Sequence, residues 1–146
     1  MTILLSGCFD PFHHGHVDYL IAGLAVLAWE PHVCAIAPDA EVQATKRRPV
    51  LLPAAARARV VEAIHNGSSL SAYQNRLTTR IGSLADVLAS LPAGVIVVKG
   101  SDWTHDRGLS NLVARYGAGL IFIGLPRSAS STQLLRDWQE RANASP

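Results

Sequence analysis

The chain opens with the sequence ILLSGCFDPFHHGHVDYLIAGLAVLA over residues 3–28. A short apolar run at residues 3–6 is typical of a strand that is buried on both faces. From Val17 to Ala28, apolar side chains recur at the spacing of an amphipathic helix. The loop between these segments, residues 7–16, contains three of the six histidines of the chain. This stretch therefore predicts a strand, a loop and a helix, with polar chemistry concentrated where the helix begins.

The same alternation continues to the end of the chain. Apolar runs predict further strands at residues 33–37, 95–98 and 120–123, and a weaker strand at residues 70–73. Helical spacing predicts helices around residues 60–64, 81–91 and 109–113, and a last helix from about Ser130. Strands that alternate with helices predict an α/β fold, a single Rossmann-like doubly wound parallel sheet with helices on both faces. We expect one domain over residues 1–146, with its ligands beyond the carboxyl ends of the strands.

Composition excludes several classes of protein. The chain has 146 residues, of which 49% are hydrophobic and 16% charged, a balance that argues against disorder. The net charge is +2, and the one basic cluster, residues 46–48, is too short for a nucleic-acid track. No run of about 18 apolar residues predicts a membrane helix, and residues 1–5 lack the basic start of a signal peptide. Cys8 and Cys34 form no metal motif and no disulfide framework, so we expect a cytoplasmic protein. From the charge and the absence of a membrane helix in the sequence pattern, we expect no nucleic-acid or membrane partners.

The histidine loop has the residue types of a phosphate site. Gly7 permits a tight exit from the strand, and Pro11 stiffens the loop. His13 and His16 are three residues apart, so both imidazoles lie on one side of the first helical turn. Free backbone N–H groups at a helix start favour an anion, and Gly15 allows a phosphate to approach the backbone. We expect the two imidazoles to stabilise charge that develops on an α-phosphate and on leaving pyrophosphate.

Two other interpretations of the loop are open. One is a zinc site, although the loop supplies no suitable cysteine set, and Asp10 and Asp18 are the only nearby carboxylates. The other is a surface loop in which histidines cluster by accident. We expect no protein metal site here.

The pattern Gly7-x-Phe9-Asp10-x-x-His13-x-Gly15-His16 resembles the signature of the cytidylyltransferase-like nucleotidyltransferases. This superfamily includes glycerol-3-phosphate cytidylyltransferase, pantetheine-phosphate and nicotinate-mononucleotide adenylyltransferases, and the adenylyltransferase domain of ADP-heptose synthesis. The match comes directly after the first predicted strand, as in the superfamily.

Further segments extend the resemblance over nearly the whole chain. Lys46 and the following Arg48-Pro49-Val50 resemble the lysine and R-P-V stretch of the heptose and glycerol-phosphate branch. Arg57 resembles the arginine that opens the next helix, and residues 97–103, VVKGSDW, resemble the V-K-G-G-D-[YW] stretch of heptose adenylyltransferases. Residues 130–132, SST, resemble the S-[ST]-T motif that holds the triphosphate. Arg127 lies only three residues before this motif, which departs from the spacing of the glycerol-phosphate branch.

The resemblance implies an enzyme that transfers AMP, or alternatively CMP, to a phosphorylated sugar, polyol or similar acceptor and releases pyrophosphate. Mg²⁺ with ATP or CTP, and a homodimer, are implied as well. A nucleotide-binding regulator without turnover is the alternative from another functional class. The implied catalytic residues are His13, His16 and Lys46. The implied nucleotide-binding residues are Gly7, Phe9, Asp10, Gly15, Lys99, Gly100, Asp102, Arg127, Ser130, Ser131 and Thr132. The implied substrate-binding residues are Cys8 and Arg57.

Overall fold

The chain folds into a five-stranded parallel sheet with strand order β3-β2-β1-β4-β5. A computed structural model describes residues 1–68, 76–125 and 130–144. The strands are Thr2–Gly7 (β1), His32–Ile36 (β2), Leu77–Ile81 (β3), Val95–Gly100 (β4) and Gly119–Ile123 (β5). The helices are His14–Ala25 (α1), Asp39–Lys46 (α2), Ala54–Gly67 (α3), Leu84–Ser90 (α4), Arg107–Arg115 (α5) and Ser131–Ala144 (α6). The predicted Rossmann-like fold is confirmed: the chain winds outward through β2 and β3, then returns to the other side of β1 through β4 and β5.

Each face of the sheet has its own apolar core, because successive side chains of a strand point to opposite faces. On one face, Ile3 and Leu5 of β1 pack against α1 and α3. On the other face, Leu4 of β1 packs against α4 and α5. All three of these β1 side chains are 0% exposed. The central strand is therefore buried on both sides, which explains its uninterrupted apolar sequence.

The two central strands separate towards their carboxyl ends, where the strand order reverses. β1 pairs with β4 from Thr2 opposite Val95 to Leu4 opposite Val97. One step further, the hydroxyl of Tyr19 in α1 lies between the two strands. It donates to the carbonyl of Val98 (2.7 Å) and accepts from the amide of Ser6 (3.2 Å). The inserted hydroxyl satisfies both backbone groups while a crevice opens between the strands, at the position where doubly wound folds bind ligands.

Local patterns predicted most elements within a few residues. The strands predicted at residues 3–6, 33–37, 95–98 and 120–123 are confirmed, as are helices in α1, α3, α4, α5 and α6. The weaker strand predicted at residues 70–73 lies outside the described residues. In the described part of the chain, the strand at the edge beside β2 is β3. Among the described helices, none is both long and apolar enough to cross a membrane.

Two sequence-based assignments were wrong, and two features were missed. Ile81 was grouped with the helix at residues 81–91, but it is the last residue of β3. α4 begins only at Leu84, because Ser83 caps it: the Ser83 hydroxyl accepts from the amide of Asp86. The first helix ends at Ala25, so Leu27, whose φ is 45°, lies beyond it. α2 was not predicted, because Val42 is its only buried side chain and no apolar periodicity results. Tyr19 was given no role from the sequence, whereas it bridges β1 and β4.

Tyr19→Phe should lower the free energy of unfolding by about 1–3 kcal/mol, because the amide of Ser6 and the carbonyl of Val98 lose their shared partner while the ring is kept. Urea denaturation measures the change. Tyr116→Phe is the matched control, since Tyr116 is 41% exposed, and it should change stability by less than about 0.5 kcal/mol. Equal effects of the two substitutions would contradict the bridging role of Tyr19.

Candidate active site

A cavity of about 520 Å³ opens at the carboxyl ends of β1 and β4. Its walls come from the loop between β1 and α1, the last residue of α2, the end of β4 and the start of α6. The predicted site residues that line it are Gly7, Cys8, Phe9, His13, Gly15, His16, Lys46, Lys99, Gly100, Asp102, Ser130 and Ser131. Four segments that are distant in sequence thus meet at one place.

His13 and His16 form a stacked pair at the first turn of α1. Their ring centroids are 3.7 Å apart and the ring planes differ by 20°. Phe9 and Phe12 lie against His16 with ring centroids 5.2 and 5.3 Å away, which fixes its orientation. The Nδ1 atom of each imidazole is buried without a hydrogen-bond partner in the described part of the chain. Both rings therefore retain hydrogen-bonding capacity at the cavity wall.

Burial keeps these two imidazoles uncharged in the free protein. Desolvation, with further contributions from His13 and Lys46, lowers the pKa of His16 to about 3. Desolvation, followed by His14 and Lys46, also lowers the pKa of His13. A polyanion in the cavity would oppose both effects and raise the pKa values of the pair.

Positive charge reaches the cavity from two directions. Lys46 is the last residue of α2, where a cation is favoured by the helix dipole, and its side chain is exposed at the cavity rim. Lys99 on β4 is buried, with 7% of its surface exposed, and its Nζ donates to the carbonyl of Ser6 (3.2 Å). The same Nζ lies 4.6 Å from the ring centroid of Trp103. Burial lowers the pKa of Lys99, against the opposing effects of Cys8, Cys34 and Asp102.

The start of α6 closes the cavity opposite the histidines. The Ser130 hydroxyl accepts from the amide of Gln133 (3.4 Å), and the Ser130 carbonyl accepts from the amide of Leu134 (2.9 Å), so Ser130 caps the helix as its sequence predicts. The Ser131 hydroxyl donates to the carbonyl of Pro11 (3.3 Å), which ties α6 to the histidine loop. Thr132 does not line this cavity, but lines an adjoining groove with Lys46 and Arg48. Arg127 lies outside the described residues.

Asp10 holds the histidine loop from beneath instead of lining the cavity. Its carboxylate is 1% exposed and accepts from Nη1 of Arg48 (2.7 Å) and from the amides of Leu51 (3.0 Å) and Leu52 (3.0 Å). Burial alone would raise the pKa of Asp10, but these hydrogen bonds outweigh it and lower the pKa below its usual value. Asp10 was expected to contact the nucleotide, but these partners occupy both oxygens of its carboxylate.

Arg57, expected at the substrate, is likewise placed behind the loop. Its guanidinium is 0% exposed and donates to the carbonyls of Cys8 (2.6 Å) and Leu52 (2.9 Å). It also pairs with the Asp39 carboxylate (2.6 Å), whose same oxygen caps α3 through the amide of Ala54 (2.8 Å). Arg57 therefore sets the position of Cys8 in the wall without reaching the cavity.

Gly7 is required by a close approach within the site, whereas the close approach at Gly100 is to an exposed side chain that can move. A Cβ atom on Gly7 would lie 2.8 Å from the Phe9 ring, which is packed beneath the strand end with φ of 52°. A Cβ atom on Gly100 would lie 2.6 Å from Oδ1 of Asp102.

Sequence reasoning missed four lining residues, Ser6, Tyr19, Ser101 and Leu125, and left Trp103 open between the pocket and the core. The position of Ser6, one residue before the signature, was the only local signal.

Arg57→Met should lower the free energy of unfolding by about 3 kcal/mol or more, because Asp39 and two loop carbonyls lose a buried cationic partner. Thermal or urea denaturation measures the loss. Arg59→Met, two residues along the same helix at an exposed position, should stay within about 0.5 kcal/mol of the wild type. A mild effect at Arg57, equal to that at Arg59, would contradict the proposed support of the loop.

The depressed pKa of His16 predicts acid-sensitive stability. An unfolded histidine titrates near pH 6.5, whereas folded His16 titrates at about 3, so the unfolded chain binds a proton that the folded chain does not. The contribution of His16 to the free energy of unfolding is therefore fully present above about pH 6.5 and is lost as the pH falls towards 3. The difference in unfolding free energy between pH 7 and pH 5 should be smaller in His16→Gln than in the wild type. The control His105→Gln, at an exposed position, should keep the wild-type difference; an unchanged difference in His16→Gln would show that His16 titrates normally.

The fold occurs in solved structures of low sequence identity. A lipopolysaccharide core biosynthesis protein from Thermoplasma volcanium superposes with a TM-score of 0.59 at 15% identity, over 86% of this chain and 96% of that one. A protein of unknown function from Archaeoglobus fulgidus gives a TM-score of 0.62 at 15% identity, over 89% of this chain and 94% of that one. These similarities concern the fold alone.

Sequence comparison identifies the family. The bifunctional protein HldE of Nitrosococcus oceani is 28% identical over 136 residues, which cover 91% of this chain and 27% of that protein. The chain thus spans about a quarter of the length of this curated relative. The model of the cytidylyltransferase-like family matches residues 4–137, which is nearly the whole chain and includes every described residue that lines the cavity. The chain belongs to the cytidylyltransferase-like family.

Proposed function

We propose that the chain is a nucleotidyltransferase that moves a nucleotide from a nucleoside triphosphate to a phosphorylated acceptor and releases pyrophosphate. The stacked pair of His13 and His16 carries this proposal. Two half-buried imidazoles whose buried Nδ1 atoms have no partner among the described residues, at a helix start that favours anions, are suited to stabilise charge on transferring phosphates. Lys46 and the start of α6 face the same cavity and supply further positive potential.

The reaction requires no covalent enzyme intermediate. An oxygen of the acceptor phosphate attacks the α-phosphorus in line, and the bond from the α-phosphorus to the oxygen bridging to the β-phosphate breaks as pyrophosphate leaves. The acceptor phosphate is already ionised near neutral pH, so no general base is needed. The protein contributes orientation and charge stabilisation, with His13 and His16 at the α-phosphate and Lys46 over the triphosphate.

The residues present are compatible with Mg²⁺ that enters with the nucleotide. In the described ranges, no group of three acidic, histidine or cysteine side chains is placed to hold a metal, and Asp102 is the only carboxylate among the described lining residues. Such a donor set suits an ion held mainly by substrate phosphates and water, with Asp102 as an additional ligand. Bound Mg²⁺ would neutralise part of the triphosphate charge.

ATP is the preferred donor in this proposal, and the acceptor is a phosphorylated sugar, polyol or similar metabolite. The preference rests on residues 97–103 and on the loop at residues 7–10, which resemble the heptose-type adenylyltransferases. CTP with glycerol 3-phosphate is the alternative substrate pair. A homodimer is proposed from the resemblance alone.

Pyrophosphate release in the presence of Mg²⁺ tests the proposal, with ATP and CTP offered separately against sugar and polyol phosphates. His16→Ala should slow turnover about a hundredfold or more, since one preorganised donor is lost, while the protein stays folded. His105→Ala, outside the cavity, should keep the wild-type rate within about twofold. Normal turnover by His16→Ala would falsify the mechanism, and nucleotide binding without turnover would favour the regulator.

A further inference from the structure

A second cavity, of about 390 Å³, adjoins the first on the opposite side of the end of β1. The two cavities share a wall formed by Ser6, Gly7, Cys8, Lys99 and Trp103. The volume of the second cavity lies within the range of about 300–1,000 Å³ that is typical of small-molecule sites. A transfer between two substrates needs two neighbouring spaces that meet at the reacting atoms, and this shared wall is such a meeting point.

Ser6 and Lys99 of the shared wall point to the face of the sheet on which the second cavity lies. In β1, Leu4 belongs to the core beneath α4 and α5, so Ser6, two residues later, points to the same face. In β4, Val97 belongs to that core as well, so Lys99 also points to that face. Ala35 of β2, another lining residue, lies in the same core. The second cavity is therefore the outer end of the α4–α5 face of the sheet.

Two polar groups at this wall are available to a phosphate. Lys99 brings a buried ammonium group that donates to the Ser6 carbonyl and lies over the Trp103 ring. The hydroxyl of Ser6, a residue with 8% of its surface exposed, has no hydrogen-bond partner among the described residues. A buried hydroxyl without a partner is costly and rare, which indicates that it serves a ligand.

Beyond the shared wall the cavity is apolar. Its side chains there include Ala35, Ala37, Leu84, Leu109 and Leu112. Two carboxylates are the other polar side chains of its described lining: Asp106 caps α5 through the amide of Leu109 (2.9 Å), and Glu41 is exposed on α2. The hydroxyl groups of a sugar would find few side-chain partners here, and each unpaired buried hydroxyl weakens binding.

We propose that the second cavity binds the acceptor, that Lys99 and Ser6 hold its phosphate at the shared wall, and that its body carries few hydroxyl groups. This inference rests on the proposed function for the role of the phosphate as nucleophile. Lys99, expected from the sequence at the nucleotide, is thereby assigned to the acceptor. Within the class of phosphorylated sugars, polyols and similar metabolites, the cavity selects a phosphate monoester with an apolar body.

Binding of a matched pair of ligands tests the selectivity without requiring turnover. Cyclohexyl phosphate and glucose 1-phosphate both carry a phosphate on a six-membered ring and differ chiefly in ring hydroxyls. In isothermal titration of the full chain, cyclohexyl phosphate should bind about tenfold or more tightly than glucose 1-phosphate. Equal affinity, a preference for glucose 1-phosphate, or no binding of either ligand would overturn the inference.

Variants locate the ligand in the second cavity. Lys99→Met should weaken both phosphates about tenfold or more, because a charge-assisted contact is lost, and Lys99→Arg should restore part of the affinity. Leu112→Asn should bring the dissociation constants of the two ligands closer together, because it adds a polar side chain to the cavity. Leu91→Asn is the control, since Leu91 packs against the same core but lines no part of this cavity, and its ratio should match the wild type. An unchanged ratio in Leu112→Asn would place the ligand elsewhere and overturn the inference.

The two proposals fail in distinguishable ways. Tight binding of cyclohexyl phosphate, with no pyrophosphate release from ATP or CTP for any acceptor phosphate, would support the cavity assignment and contradict nucleotide transfer. Turnover with glucose 1-phosphate, at a kcat/KM equal to or above that for cyclohexyl phosphate, would support nucleotide transfer and overturn the assignment.

Discussion

The buried carboxylate of Asp10 fixes the loop on which the candidate site depends. A carboxylate removed from water is tolerated only when it is fully hydrogen-bonded, and here Arg48 and two backbone amides provide the partners. The same contacts join the histidine loop to residues 48–52, at the approach to α3. Arg57 adds a second connection, from α3 to the carbonyl of Cys8. The loop is thus held from behind by two charged groups, and its histidines face the cavity in a fixed arrangement.

This arrangement separates the charges that support the site from those available to a ligand. Asp10, Arg48, Asp39 and Arg57 satisfy one another and the backbone, below the cavity floor. Lys46 and Lys99 remain at the walls, together with two uncharged imidazoles. In the proposed reaction, a triphosphate entering this space would meet positive potential and donors already in position, so little reorganisation would be required for transfer. The sequence motif therefore combines two functions, since Asp10 shapes the loop that His13 and His16 use.

The parts of the structure that local patterns encode could be predicted from the sequence. The strand, loop and helix of residues 3–25 follow from apolar spacing, and the three-residue separation of His13 and His16 predicted their pairing, although His13 lies in extended backbone just before α1. β3 and α2 escaped because each is half exposed and shows no continuous apolar pattern. The positions of Asp10 and Arg57 were missed for another reason: the partners of Asp10 are about 40 residues away, and those of Arg57 include Cys8, 49 residues away. Residue type alone does not distinguish a charged group that binds a ligand from one that holds a loop.

The contact between Lys99 and Trp103 has an optical consequence. The chain has three tryptophans, and Trp29 and Trp138 are 75% and 68% exposed on the surface, whereas Trp103 lies on the wall shared by both cavities. Indole emission responds to nearby charge and to contact with water, and both change at Trp103 when either cavity is filled. With the substitutions Trp29→Phe and Trp138→Phe, the tryptophan fluorescence of the chain would come from the candidate site alone. The junction of the two cavities thus contains an intrinsic reporter of occupancy that needs no attached dye.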